Sequence, residues 1–126
     1  MKIVLSKTTM VIKKEKTIKF EVINDLTIAG NSATTQQIVS GSDLQCIVVL
    51  EAEKGVKYKI TLTPQSGSPT YKWGNTNSKE IGTLIINYNG GGGVSGSKII
   101  TTTGNDFKYF VISKFKDVDI SIEIVE

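Results

Sequence analysis

Apolar and polar positions alternate with a period of two in several stretches of this chain, the repeat that sends successive side chains to opposite faces of a strand. In residues 17–22, Ile18, Phe20 and Val22 fall on one face and Lys19 and Glu21 on the other. In residues 56–63, Tyr58, Ile60 and Leu62 point inward while Lys57, Lys59 and Thr61 point outward. Near the C-terminus Val118, Ile120, Ile122 and Ile124 alternate with Asp119, Ser121 and Glu123, the pattern of a half-buried antiparallel strand. Residues 44–50 are apolar almost throughout, which predicts a strand covered on both faces, and residues 107–115 are apolar on both faces as well. Shorter strand runs lie at 10–12, 26–28, 70–73, 80–88 (centred on Leu84, Ile85 and Ile86) and 98–103, whereas 34–39 is polar and ambiguous.

Turn signals rich in Gly, Asn and Ser separate these runs, at 24–25, 29–32, 40–43, 51–55, 64–69, 74–78 and 103–106, with a charged turn at 13–16. Helical spacing recurs nowhere over a usable length. The expectation is one all-β domain over residues 1–126: an antiparallel β-sandwich, jelly-roll-like, of eight to ten short strands.

Composition agrees, since Ile, Val and Thr are stiff at χ1 and pack well on a pleated surface. Only two prolines stand against twelve glycines, so Gly, Asn and Ser must make the turns. The net charge is +3 and all fifteen basic residues are Lys. Without Arg the chain lacks the planar fork that reads phosphates and bases, which argues against specific nucleic-acid recognition. The densest basic stretch, Lys13-Lys14-Glu15-Lys16, reads as a solvated edge or turn.

The catalytic inventory is thin. With no His there is no imidazole base, no Ser-His pair and no imidazole metal ligand. Cys46 is the sole cysteine, excluding an internal disulfide, and its apolar surroundings predict a buried thiol. Two carboxylate pairs, Glu51 with Glu53 and Asp117 with Asp119, sit at strand ends where solvated charge is ordinary. Asp106, Asp117 and Asp119 are the oxygen donors that could gather round calcium, but no D-x-D-x-D-G loop is present. The expectation is a non-enzyme with no metal and no cofactor.

Two features point to binding. Tyr71 and Trp73 lie two apart on one short strand, so their rings share a face, and could form a platform for a sugar ring. Lys72, Asn75 and Asn77 would then supply hydrogen bonds; the competing reading makes Trp73 a core residue capping the sandwich. The tract Gly90, Gly91, Gly92 and Gly93 is followed by no Lys-Ser or Lys-Thr and so is no phosphate loop. It reads as a hairpin tip or as a segment pressed against a neighbouring subunit, where absent Cβ atoms permit close approach.

The start of the chain has no signal-peptide pattern, and no segment approaches the roughly 20 apolar residues that span a bilayer. The expectation is a complete chain made in the cytoplasm, either a cytosolic protein or one released by lysis, as virion parts are, with a cell-surface location as a further alternative.

Residues 53–62, EKGVKYKITL, and the closing run 116–124, KDVDISIEI, resemble strands of small jelly-roll sandwiches found as carbohydrate-binding modules and as fibre or decoration domains of bacteriophage virions. The resemblance is one of strand rhythm over the last two-thirds of the chain and transfers no individual binding residue. It implies a non-catalytic virion component (capsid decoration, head-fibre or tail-associated subunit) whose partners are other virion subunits or copies of itself. The alternative it implies is a lectin-like module that recognises cell-surface glycans.

Overall fold

A strand with neighbours on both edges and packed layers on both faces must be apolar along its length, and Gln45–Glu51 is such a strand. The structure, a computed structural model, describes residues 17–126 apart from 92 and 94. The expected run at 10–12 and the charged turn at 13–16 lie outside the described residues.

Ten strands follow in order: β1 (Phe20–Asn24), β2 (Leu26–Ala29), β3 (Gln37–Ser40), β4 (Gln45–Glu51), β5 (Lys57–Thr63), β6 (Tyr71–Thr76), β7 (Ile86–Gly91), β8 (Lys98–Thr103), β9 (Tyr109–Phe115) and β10 (Asp119–Val125). They form three antiparallel sheets. A five-stranded sheet of order β1-β4-β9-β6-β7 is joined by a three-stranded sheet, β10-β5-β8, and the hairpin β2-β3. From β4 onward the chain crosses between the two larger sheets at every connection except the β6–β7 hairpin, the winding expected of a jelly-roll-like sandwich. Among the described residues both larger sheets stay open, with no closed barrel.

The five-stranded sheet is the middle layer. On one face Leu50, Tyr71, Phe110 and Ile112 pack with Tyr58, Ile60 and Leu62 of β5 and Ile100 of β8. On the other face Ile47, Val49, Tyr109 and Val111 pack with Ile28 of β2 and Ile38 of β3. The apolar runs 46–50 of β4 and 109–112 of β9 therefore serve two cores at once, odd positions feeding one and even positions the other. Fully burying each such side chain contributes roughly 1.5–3 kcal/mol. Strand β5 is covered on one face only and alternates accordingly: Tyr58, Ile60 and Leu62 are buried, and Lys57 is exposed.

Two stretches depart from expectation. The polar run at 34–39 supplies the start of β3, made possible because Gln36 is buried yet fully bonded. Its Nε2 donates to the carbonyls of Gly30 (3.2 Å) and Ser32 (2.9 Å). The run at 80–88 enters the sheet only at Ile86. Its earlier part lies along β3, where Ile38 N donates to Thr83 O (3.0 Å) and Ile85 N to Gln36 O (2.9 Å). That pairing turns Ile85 into the second core and leaves Leu84 exposed. Between β1 and β2 the chain swings out of the middle sheet at Asp25, whose φ of 66° is left-handed; Asp is among the few residues that tolerate this locally.

Candidate functional site

Tyr71 and Trp73 do share a face of β6, but it is the interior one. Tyr71 is 1% exposed and Trp73 is half-buried at the margin of the same core. Lys98 Nζ lies 5.6 Å from the indole ring centre, so a cation already occupies that side. The hydroxyl of Tyr71 is buried and has no hydrogen-bond partner among the described residues. Burial, and then the nearby charge of Asp117, hold its pKa above the ordinary tyrosine value.

The polar members of the expected platform go elsewhere. Lys72 points to the opposite face, toward the hairpin layer, and donates to Gln36 Oε1 (3.1 Å). At Gly74 the β6–β7 register shifts, and a Cβ there would stand 2.7 Å from the Ile86 carbonyl oxygen. Beyond this bulge Asn75 is buried, its Oδ1 accepting from Asn87 Nδ2 (3.0 Å) and Asn105 Nδ2 (3.4 Å). Asn77 Oδ1 accepts from the Lys108 amide (2.9 Å). Tyr71, Lys72, Trp73, Asn75 and Asn77 thus do not converge on one surface, and no two-ring platform forms. The period of two says which side chains share a face; it does not say whether that face meets solvent or a second sheet.

The glycine tract is likewise used within the chain. Gly90 and Gly91 belong to β7 and pair with Lys72 and Tyr71. Gly93 sits so close to the Ser68 carbonyl that a Cβ would overlap it, and Gly92 lies outside the described residues. The three acidic residues weighed for calcium do not meet. Asp106 precedes β9 and bonds Lys54 (2.7 Å), while Asp117 follows β9, so the length of the strand separates them. No group of three metal-ligating side chains occurs among the described residues.

What the fold does assemble is a cleft of about 430 Å³ at the end of the sandwich, lined by Leu44, Ser66, Ser68, Pro69, Phe115, Lys116, Asp117 and Val118. Three segments distant in sequence build it: the residue preceding β4, the β5–β6 loop and the β9–β10 turn. The turn is held from below by Lys114, buried at 7% exposure. Its ammonium donates to the carbonyls of Phe115 (3.2 Å) and Val118 (2.7 Å). Lys116 is turned aside to Asp25 Oδ1 (2.8 Å). Asp117 is exposed and forms no ion pair among the described residues. An apolar wall with two hydroxyls and a carboxylate at its margin has the size and chemistry of a small-ligand site. Sequence spacing carried no signal for it.

The second surface is the edge of β1 that no described strand pairs. Its ladder with β4 places hydrogen-bonded pairs at Asp25–Gln45 and Glu51–Lys19. By the alternation of an antiparallel ladder, the N–H and C=O groups of Phe20, Val22 and Asn24 then point away from β4. The side chains of Phe20 and Val22 lie beyond the cover of the three-stranded sheet and are each 47% exposed. Glu21 bonds Lys79 through Oε1.

No family model, curated protein or solved structure matches the chain. The likeness to carbohydrate-binding modules and phage virion domains therefore stands on strand rhythm alone. What is shown is an all-β, antiparallel, sandwich-like fold.

Proposed function

We propose that the chain is a non-catalytic structural subunit that acts by contact with other protein chains, of the kind that decorates a bacteriophage capsid or builds a head fibre or tail. The observation that carries this reading is the state of the sheet edges. Among the described residues, all four edge strands of the two larger sheets bear a large exposed apolar side chain: Phe20 and Val22 on β1, Ile86 on β7, Ile99 on β8 and Val125 on β10. Proteins that live as monomers usually blunt such edges with charge, proline or a covering loop. The absence of His and Arg from the sequence supports a non-catalytic role. The test is the composition of the native particle: the chain should occur in many stoichiometric copies in purified virions or another large assembly. Recovery only as a free monomer from its native source would overturn the reading.

A second reading, a glycan-binding module, draws support from the cleft at the sandwich end. There Pro69, Leu44 and Phe115 offer an apolar wall beside Ser66, Ser68 and Asp117. A glycan-array signal abolished by Phe115→Ala and by Asp117→Asn, in variants that stay folded, would favour it over a purely structural role. A signal lost instead in Trp73→Ala alone would place the sugar at the β6–β7 margin.

A further inference from the structure

We propose that two copies of this chain pair through the edge of β1 that no described strand covers, antiparallel about a two-fold axis at Phe20, joining their five-stranded sheets into one ten-stranded sheet. The inference rests on the assembly reading above and names the partner of one of its edges: a second copy of the chain.

Strand addition needs three things from an edge: outward backbone groups, an apolar strip to bury, and side chains that tolerate their opposite numbers. The outward groups are those of Phe20, Val22 and Asn24, as the β1–β4 ladder dictates. Two-fold pairing through them allows only a few registers, and charge sorts these. Placing Glu21 opposite Glu21 of the partner subunit, or opposite Asp25 of the partner subunit, sets like charges face to face and is disfavoured. Placing Phe20 opposite Phe20 of the partner subunit puts Ile18 against Val22 on the same face, twice. On the other face it puts Lys19 against Glu21, also twice. Within residues 18–22 every opposed pair is then apolar with apolar or cation with anion. The register centred on Val22 is poorer, since it sets Phe20 against Asn24 and Glu21 against Ile23. Lys79 engages Oε1 of Glu21 and no described residue forms a hydrogen bond or ion pair with its second oxygen, which leaves that oxygen for the incoming Lys19. Phe20 and Val22, each 47% exposed, would be covered.

The experiment is a charge swap on the full chain, read by light scattering coupled to size exclusion. The wild type should run as a dimer at tens of micromolar. Glu21→Lys and Lys19→Glu, each confirmed folded by circular dichroism, should each weaken the dimer about tenfold or more, because two attractive pairs become two repulsive ones. The double variant Lys19→Glu/Glu21→Lys should restore it. Paired residues in a hydrogen-bonded antiparallel register have Cα atoms about 5.5 Å apart, within disulfide reach. Oxidised Phe20→Cys should therefore cross-link as a covalent dimer and Val22→Cys should not. A dimer unaffected by both charge reversals would overturn the β1 interface while leaving the assembly reading intact. A wild-type monomer whose Phe20 and Val22 amides are nonetheless protected from exchange would show the edge covered within the chain, and would also overturn it.

Discussion

Two neighbouring glycines are needed for different reasons, and substituting each by alanine separates them. Gly55 and Gly104 meet where the β4–β5 turn touches the β8–β9 loop: Gly55 N donates to Gly104 O (2.9 Å) and Gly104 N to Val56 O (2.8 Å). Gly55 has φ +84° and open space around its missing Cβ. Gly55→Ala therefore costs only the left-handed backbone preference, about 1 kcal/mol. Gly104 needs no unusual φ, but a Cβ there would drive into the Glu53 carbonyl, which is backbone and cannot rotate aside. To relieve the overlap the junction must open. Losing its two hydrogen bonds costs about 2 kcal/mol, and the residual overpacking adds about 1–3 kcal/mol. Gly104→Ala should thus lose about 3–5 kcal/mol, several times the cost of Gly55→Ala. Urea denaturation followed by Trp73 fluorescence measures both on one scale, with the slope m as a check that the unfolded reference is unchanged. Gly55→Asn should recover part of the loss at that site, since Asn tolerates left-handed backbone. Equal losses for the two alanine variants would refute the steric argument.

The hydroxyl of Tyr71 is buried without a partner among the described residues, so Tyr71→Phe should stabilise the fold by roughly 1 kcal/mol in denaturant melts; a loss of stability would mean the hydroxyl is satisfied. Burial and Asp117 raise the Tyr71 pKa in the folded state, so above about pH 10 the unfolded chain releases a proton that the folded chain keeps. That contribution is complete below pH 10 and fades as pH climbs, and the alkaline decline should be shallower in Tyr71→Phe than in the wild type. In the core, Ile60 is fully buried between the sheets, and Ile60→Ala should cost about 2–5 kcal/mol. Ile99, on the same sheet but 54% exposed, should change stability by less than about 1 kcal/mol on the same substitution.

Much of the fold was legible in the chain because it follows from local periodicity. The alternation of Tyr58, Ile60 and Leu62 marked a strand covered on one face, and the apolar runs of β4 and β9 marked strands covered on two. Of the hairpin layer, β2 was legible as the run 26–28 but β3 was not, because it grows from a polar stretch in which the buried Gln36 is bonded by Gly30, Ser32 and Lys72. Hydrogen bonds that close only in three dimensions leave no period to read.

The sequence by itself determined an all-β chain with Gly, Asn and Ser at its turns, without His or Arg chemistry, and with Tyr71 and Trp73 on a common face. Only the tertiary structure decided which way that face looks. It looks inward, because the three-stranded sheet covers Tyr71, and Lys98 and Gly91 close over most of Trp73. Conversely, Phe20 and Val22 have the alternation of core residues yet stand exposed, because the middle sheet is two strands wider than the one covering it. Period fixes relative orientation along one strand, whereas burial depends on the width and position of a layer that the strand does not encode.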